Sequence, residues 1–352
     1  MLWAVVRKRQ EGTTTVHELD AFIDGLPKAE LHMHLEGSLE PELMLDIARR
    51  NGLTVPWSTA DELRAAYCFS DLQSFLDLFW AGCRVLVQEQ DFYDMAMAYL
   101  RRAREDNVLH AEVFLAPQNF TLRGVDAGTM MRGLKRAFAD AARELGISAS
   151  LMILVHRHRT EDAAFELLEQ MMPWAQDITA IGMAGPEVGH PPSKYTSFFR
   201  ECRAKGFRVV IHAGEEGPAA YVREAFDLGA DRIDHGNACI DDPALVRAIA
   251  ERQTPLTLCP LSNLRLKVIP TMAAQPLRKL LEQGVRVTIN SDDPSYFAGY
   301  INDNFKACRE AFALTKAELI GLARNSFTAA FLPEEAKQRY LGMIDTYAAN
   351  TQ

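Results

Sequence analysis

Short, β-rich apolar runs alternate with longer amphipathic stretches along nearly all of this chain, and that alternation restricts the fold more than any other feature. Strand-like runs fall at 29–35, 108–115, 149–155, 178–183, 208–212, 232–235, 256–259 and 286–290. Between them lie segments with helical spacing at 72–87, 91–105, 127–145, 162–174, 195–205, 219–228, 243–252 and 276–283. Eight strand-then-helix units predict an α/β fold of the closed (β/α)8 TIM-barrel type. An open doubly wound sheet would carry a glycine-rich phosphate turn after its first strand. Here the first strand runs instead into HMHLEGSLE. Asp91 and Asp242 are placed to cap helices, Gly146 and Gly284 to end them, and Pro243 and Pro276 to occupy first turns.

The pattern reads as one barrel domain over 1–352 with three additions. Residues 1–25 form an N-terminal leader whose apolar run precedes its basic residues, the reverse of a secretory signal. Residues 39–86 are too long for one crossover helix and predict a helical lid over the barrel mouth. Residues 316–352 predict C-terminal helices broken at Pro333. Met130, Met131, Met171 and Met172 read as core filler. Lys and Arg number 38 against 47 Asp and Glu, a formal charge of −9, and no basic block exceeds fragments such as Arg101-Arg102. That argues against a nucleic-acid partner, which needs a basic face. No run approaches the ~18–20 apolar residues of a membrane span. Six scattered cysteines without a CxxC pair point to a reducing, cytoplasmic setting.

In such a barrel, chemistry belongs at the C-terminal ends of the strands. Strand one ends in His32-Met33-His34, and period-2 alternation puts both imidazoles on one face. Strand five ends in HAGE at 212–215, strand six in DHG at 234–236, and strand eight in NSDDP at 290–294. Each motif alone is weak, and Asp234, Asp292 or Asp293 could each cap a following helix. Four strands ending this way together form a constellation. His32, His34, His212 and Asp292 supply three imidazoles and a carboxylate, a set suited to one Zn²⁺ per subunit with a position left for water. Such an ion lowers the pKa of bound water towards ~7. His235 is placed to orient or deprotonate that water, Asp293 to hydrogen-bond it or the substrate, and Glu215 to exchange a proton with the substrate. His156 and His158 read as loop or surface residues.

HMHLEG at 32–37, HAGEEG at 212–217, DHG at 234–236 and NSDDP at 290–294 resemble, in order, the motifs of the adenosine/adenine deaminase family, a branch of the metal-dependent amidohydrolases. The resemblance spans about 26–331. It implies a zinc-bearing barrel that hydrolyses the 6-amino group of a small-molecule purine and releases ammonia. It implies that His32, His34, His212 and Asp292 hold the zinc and that Glu215 protonates purine N1. His235 would act as base and orienter at the attacking water, Asp293 would meet N7, and the backbone of Gly185 would meet N3. The HxE/PCxxC pattern of the other zinc deaminases is absent.

HLEG followed by SLEPE, GHPPSKY at 189–195, LCPLSN at 258–263 and NSDDP resemble the adenine deaminase subgroup. Glu36 stands where the nucleoside enzymes place an Asp at the ribose 5′-hydroxyl, which suits a free base, most simply adenine. Two departures point elsewhere. The chain reads FLAPQNFT where the subgroup tends to read FFDPQTHT, placing Ala116 and Phe120 at Asp and His positions, and it reads GMAGPE at 182–187. Lost polarity at the mouth would suit an N6-substituted or otherwise modified adenine; adenosine is a further alternative. Another mononuclear amidohydrolase activity is more remote, and the fourth strand lacks the lysine of two-metal relatives. A non-enzymatic binding role would be expected to lose ligands or Glu215, and none is lost. In the lid, Tyr67, Phe69, Phe75, Phe79 and Trp80 are aromatic, with Phe69 and Phe75 the candidates to stack on a purine.

Overall fold

Eight parallel strands run in the order β1 to β8 around a barrel: Lys28–Glu30, Val108–Leu115, Ser148–His156, Ile178–Ala184, Arg208–Ala213, Arg232–His235, Leu256–Leu258 and Val287–Ile289. The computed structural model describes residues 16–351, and the sequence reading of 1–15 as part of a leader lies outside them. All eight expected strands are present. The first is shorter than expected, because beyond Glu30 the chain sits between both neighbours and makes isolated bridges to each, Met33 with Asp292 and His34 with Phe114. The barrel closes there. His34 N donates to Asp292 O (2.8 Å), Asp292 N to His32 O (3.1 Å), and Leu31 N to the side-chain oxygen of Asn290 (2.9 Å).

Helices cover the outside, and their capping follows local chemistry. Asp242 accepts from the amides of Ala244 and Leu245, as its position predicts. Asp91 also caps, from the third position of its helix, by accepting from the Gln88 amide at 2.8 Å. It lies in the first turn of helix Glu89–Glu105, capped by Gln88, and its buried carboxylate collects Val87 N, Gln88 N and Asn51 Nδ2. Part of the predicted leader is also corrected. Residues Val16–Gly25 (α1) form a helix whose Phe22 and Ile23 are buried, and Phe22 O accepts from the Tyr347 hydroxyl at 3.0 Å. The excursion after β1 folds into α2 (Pro41–Arg50), α3 (Ala60–Ala65) and α4 (Leu72–Cys83). The tail forms helices Lys316–Ala329 and Glu334–Asn350, parted at Pro333 as expected. Among the described residues no helix is long and apolar enough to cross a membrane.

Alternation along the strands sends two kinds of side chain inward. One buried cluster of Phe114, Ala116, Met152, Leu154, Ala180 and Val210 fills the interior, with Phe331 packed against it. Beneath it lies a buried ion pair, Arg232 Nη1 to Glu112 Oε2 at 2.6 Å. Arg208 and Arg232 stack over the Phe331 ring at 4.8 and 4.6 Å, and Phe331 N also donates to Glu112. This closes the N-terminal end of the barrel, so the opposite end is left for the site.

Burial alone would raise the Glu112 carboxyl, but Arg232 and His110 beside it outweigh that and hold it at about 2. A depressed carboxyl contributes stability above its ordinary value of 4.5, lost as pH falls towards about 2. Glu112→Gln removes the carboxylate that Arg232 bonds directly and leaves it only Asp234, 3.7 Å from its Nε, as counter-charge, so it is expected to cost about 3 kcal/mol at neutral pH. The gap to the parent protein should shrink as pH approaches 2. Denaturant unfolding across that range checks it; a gap independent of pH would contradict it.

Candidate active site

The C-terminal strand ends bring together all seven of the expected metal and proton-handling residues. His32 Nε2 and His34 Nε2 each lie 3.3 Å from the same Asp292 oxygen, and His34 Nε2 lies 3.2 Å from His212 Nε2. His32 Nε2 is buried and has no hydrogen-bond partner. Ring nitrogens facing one another around one carboxylate oxygen need a proton or a cation between them. A three-imidazole, one-carboxylate set fits a divalent ion such as zinc.

Two of these residues sit in a costly backbone conformation. His235 has φ +61° and Asp292 φ +67°, the left-handed region that side-chain-bearing residues avoid. Such residues cost about 1–3 kcal/mol each and concentrate at functional sites. The turn Glu36–Ser38 packs so tightly against Asp293 that a Cβ on Gly37 would overlap its carboxylate, which explains the glycine of HLEG.

The titrating groups divide into two kinds. Burial would raise the Asp292 carboxyl, but His32 and His34 outweigh it and hold it well below the ordinary range. Burial, then the Asp292 charge, pushes Glu215 and Asp293 well above that range, which favours the protonated form of each. Burial lowers His212 to about 4 and holds His235 well below the ordinary imidazole value, which favours the neutral form of each. His235 Nε2 lies 3.6 Å from Glu215 Oε2 and 4.0 Å from Asp292 Oδ2. A carboxyl pushed up and an imidazole pushed down therefore face each other beside the histidine–aspartate cluster.

Above them lies a cavity of about 50 Å³, room for about three to five water molecules. Leu72, Phe75, Leu76, Phe79 and Trp80 form one stripe of α4 and make one wall. Gly185, at φ +106°, lines the cavity without a side chain. The expected aromatic pair divides: Phe75 lines the cavity, whereas Phe69 stands behind, edge-on to Phe75 at 5.4 Å. Glu36 also stands behind the wall, its Oε1 accepting from Ala116 N (2.9 Å) and Asn119 Nδ2 (3.1 Å). Ala116 faces the cavity, but Phe120 turns outward against Phe92 (5.0 Å) and removes no polarity from the mouth. His156 is corrected from a loop or surface position: it ends β3, is buried and lines the cavity.

Several residues escaped the sequence reading. Asp234, read from sequence only as a strand-end residue that could cap a helix, reaches two of the three imidazoles of the expected metal set, with Oδ2 3.3 Å from His212 Nδ1 and Oδ1 linked through Thr257 Oγ1 (3.0 Å) to His32 Nδ1 (2.9 Å). Alternation along β6 could have shown it facing inward between His212 and His32. Glu187 accepts from Gly214 N (2.7 Å), Glu216 N (2.9 Å) and Gly217 N (2.8 Å), fixing the turn that presents Glu215. Cys259 lies among the possible ligands of a set with His32 and Asp292, but burial pushes its thiol well up.

The barrel and its polar strand ends define a hydrolase-type site with a cluster able to hold a metal ion. A family model described as adenosine deaminase matches residues 27–347. The adenine deaminase of Rhodopseudomonas palustris strain BisB18 is 56% identical over 94% of this chain and 97% of its own length. That of Hahella chejuensis is 51% identical over 94% and 99%. Among solved structures, adenine deaminase from Arthrobacter aurescens superposes with a TM-score of 0.90 at 42% identity, covering 92% of this chain and 99% of that one. An amidohydrolase from Burkholderia ambifaria, solved with bound zinc, gives 0.86 at 29% identity, covering 98% and 97%. The chain belongs to the adenosine deaminase family, in its adenine deaminase branch, and is a hydrolase acting on C–N bonds of cyclic amidines.

Carboxylate partners of metal-bound imidazoles typically carry 10- to 100-fold in metal affinity. Asp234→Asn is therefore expected to weaken divalent-ion retention by about 10- to 100-fold, read by competition with a chelator, while the circular dichroism spectrum is kept. Unchanged affinity would remove Asp234 from the site.

Proposed function

We propose that the protein hydrolyses adenine to hypoxanthine and ammonia, with one zinc ion held by His32, His34, His212 and Asp292. The observation that carries this reading is the Glu215 carboxyl facing the His235 imidazole at 3.6 Å on the floor of a small, largely apolar cavity, beside the His32, His34, His212 and Asp292 cluster. The relatives of about half identity named adenine deaminase support the substrate, and the zinc in the Burkholderia ambifaria structure supports the ion. The bound ion supplies an activated water at neutral pH.

The chain's own groups do the rest. Glu215 donates its proton to purine N1, drawing electrons from C6 and opening it to attack. His235 takes the proton released by the attacking water. Asp293, kept protonated, donates to N7, and the backbone of Gly185 meets N3. As the tetrahedral carbon collapses, His235 passes its proton to the departing amino group, which leaves as ammonia, and the C6 hydroxyl returns a proton to Glu215, leaving the 6-oxo base. Phe75 and its α4 neighbours cover one face of the ring and exclude bulk water, making α4 the lid.

The apolar stripe of α4 along one cavity wall suits a flat base lying against it. An N6-substituted adenine is the second reading, favoured by Ala116 at the cavity wall; Phe120, turned outward, gives it no support. Free thiols at all six cysteines support a cytoplasmic location.

Zinc-loaded protein is expected to convert adenine faster than adenosine or N6-isopentenyladenine, followed by ammonia release. Preference for either of the others would overturn the substrate. Glu215→Gln is expected to lower kcat on adenine by about 10²- to 10⁴-fold with zinc content kept; an unchanged kcat would remove Glu215 from proton transfer.

A further inference from the structure

A second cleft opens on the far side of the cavity wall, sharing Trp80 and His156 with it. Its volume is about 240 Å³, and no Asp or Glu lines it. Three arginines do: Arg84 just past the end of α4, Arg123 after the short helix Gln118–Thr121, and Arg159 in the loop after β3. None has a carboxylate partner among the described residues, although the chain is acidic overall and arginines such as Arg50, Arg102, Arg232 and Arg278 are all paired.

The cleft is built rather than loose. Tyr195 donates its hydroxyl to both His156 O (2.9 Å) and Arg159 O (2.8 Å), pinning the β3 loop. His156 and His158 stack at 5.1 Å, and Arg123 ties this rim to the end of α4 through Cys83 O (3.0 Å) and Arg84 O (3.2 Å). Arg159 Nε and His158 Nδ1 are buried without any hydrogen-bond partner. Arg123 spends Nε, Nη1 and Nη2 on backbone oxygens and contributes only its charge, whereas Arg159 keeps an unpartnered Nε; three guanidinium groups with no counter-charge fit a compact dianion with several acceptor oxygens.

We propose that this cleft binds a phosphate group, either as free phosphate or as the 5′-phosphate of a purine nucleotide. The inference goes beyond the deaminase reading and does not rest on it.

Inorganic phosphate and AMP, titrated separately into the full chain by calorimetry at fixed ionic strength, test it. Saturable binding of either probe is expected, weakened about tenfold or more by Arg159→Ala and by Arg84→Glu. Arg84 is exposed, so its variant keeps the test open if Arg159→Ala fails to fold. Binding of phosphate, with AMP competing for it, supports an anion site open to both sources. Binding of AMP alone, still sensitive to the arginine variants, assigns the site to the nucleotide. No saturable binding of either probe, or binding that both variants leave unchanged, overturns the proposal.

Discussion

Everything at the C-terminal end of this barrel depends on the convergence of His32, His34 and His212 on the Asp292 carboxylate. Putting these groups together in a buried place is unfavourable unless opposite charge and hydrogen bonds compensate it. The barrel provides that compensation in depth. Asp234 sits behind His212 and, through Thr257, behind His32. Arg232 lies 3.7 Å from Asp234 and reaches on to Glu112, which in turn meets His110 and Phe331 at the closed end. A line of paired charges thus runs the height of the barrel, so the orientation of the ligands is set partly at the opposite end.

The same convergence explains the strain and the protonation pattern. The left-handed backbone at Asp292 and His235 turns each strand end so that its side chain points into the cluster. Barrel closure is made by Asp292 itself and by Met33, which stands between His32 and His34, so the fold and the site are completed by one contact. The Asp292 charge then helps keep Glu215 and Asp293 protonated, dividing three neighbouring carboxyls into one anion and two proton donors. Such division of like groups is how a site obtains an acid at neutral pH.

What was legible in the sequence is what periodicity encodes. The strand–helix alternation gave all eight strands, and period 2 along HMH placed both imidazoles inward. The motifs at the ends of β5, β6 and β8 meet the HMH pair because the barrel brings all strand ends to one rim. Less legible were features set by three-dimensional neighbours. Phe69 and Phe75 are alike in sequence, yet only the α4 stripe decides which reaches the cavity. Phe120 falls on the outward side of a short helical turn, where Phe92 waits for it. Glu36 and Glu187 act through backbone amides distant in sequence, which no local pattern announces. His156 was misjudged because the end of β3 lies one residue further on than its apolar run suggests.

The central claim is that one divalent ion lies among His32, His34, His212 and Asp292. Nearby groups offer other sets, including His32 with Cys259 and Asp292, and Glu215 with His235 and Asp292. Anomalous scattering at the zinc edge from crystals of zinc-loaded protein separates them directly. A single peak bounded by the three imidazole nitrogens of His32, His34 and His212 and the Asp292 oxygen is the predicted result. A peak ligated by Cys259 or by Glu215, or no peak at this end of the barrel, would contradict the account.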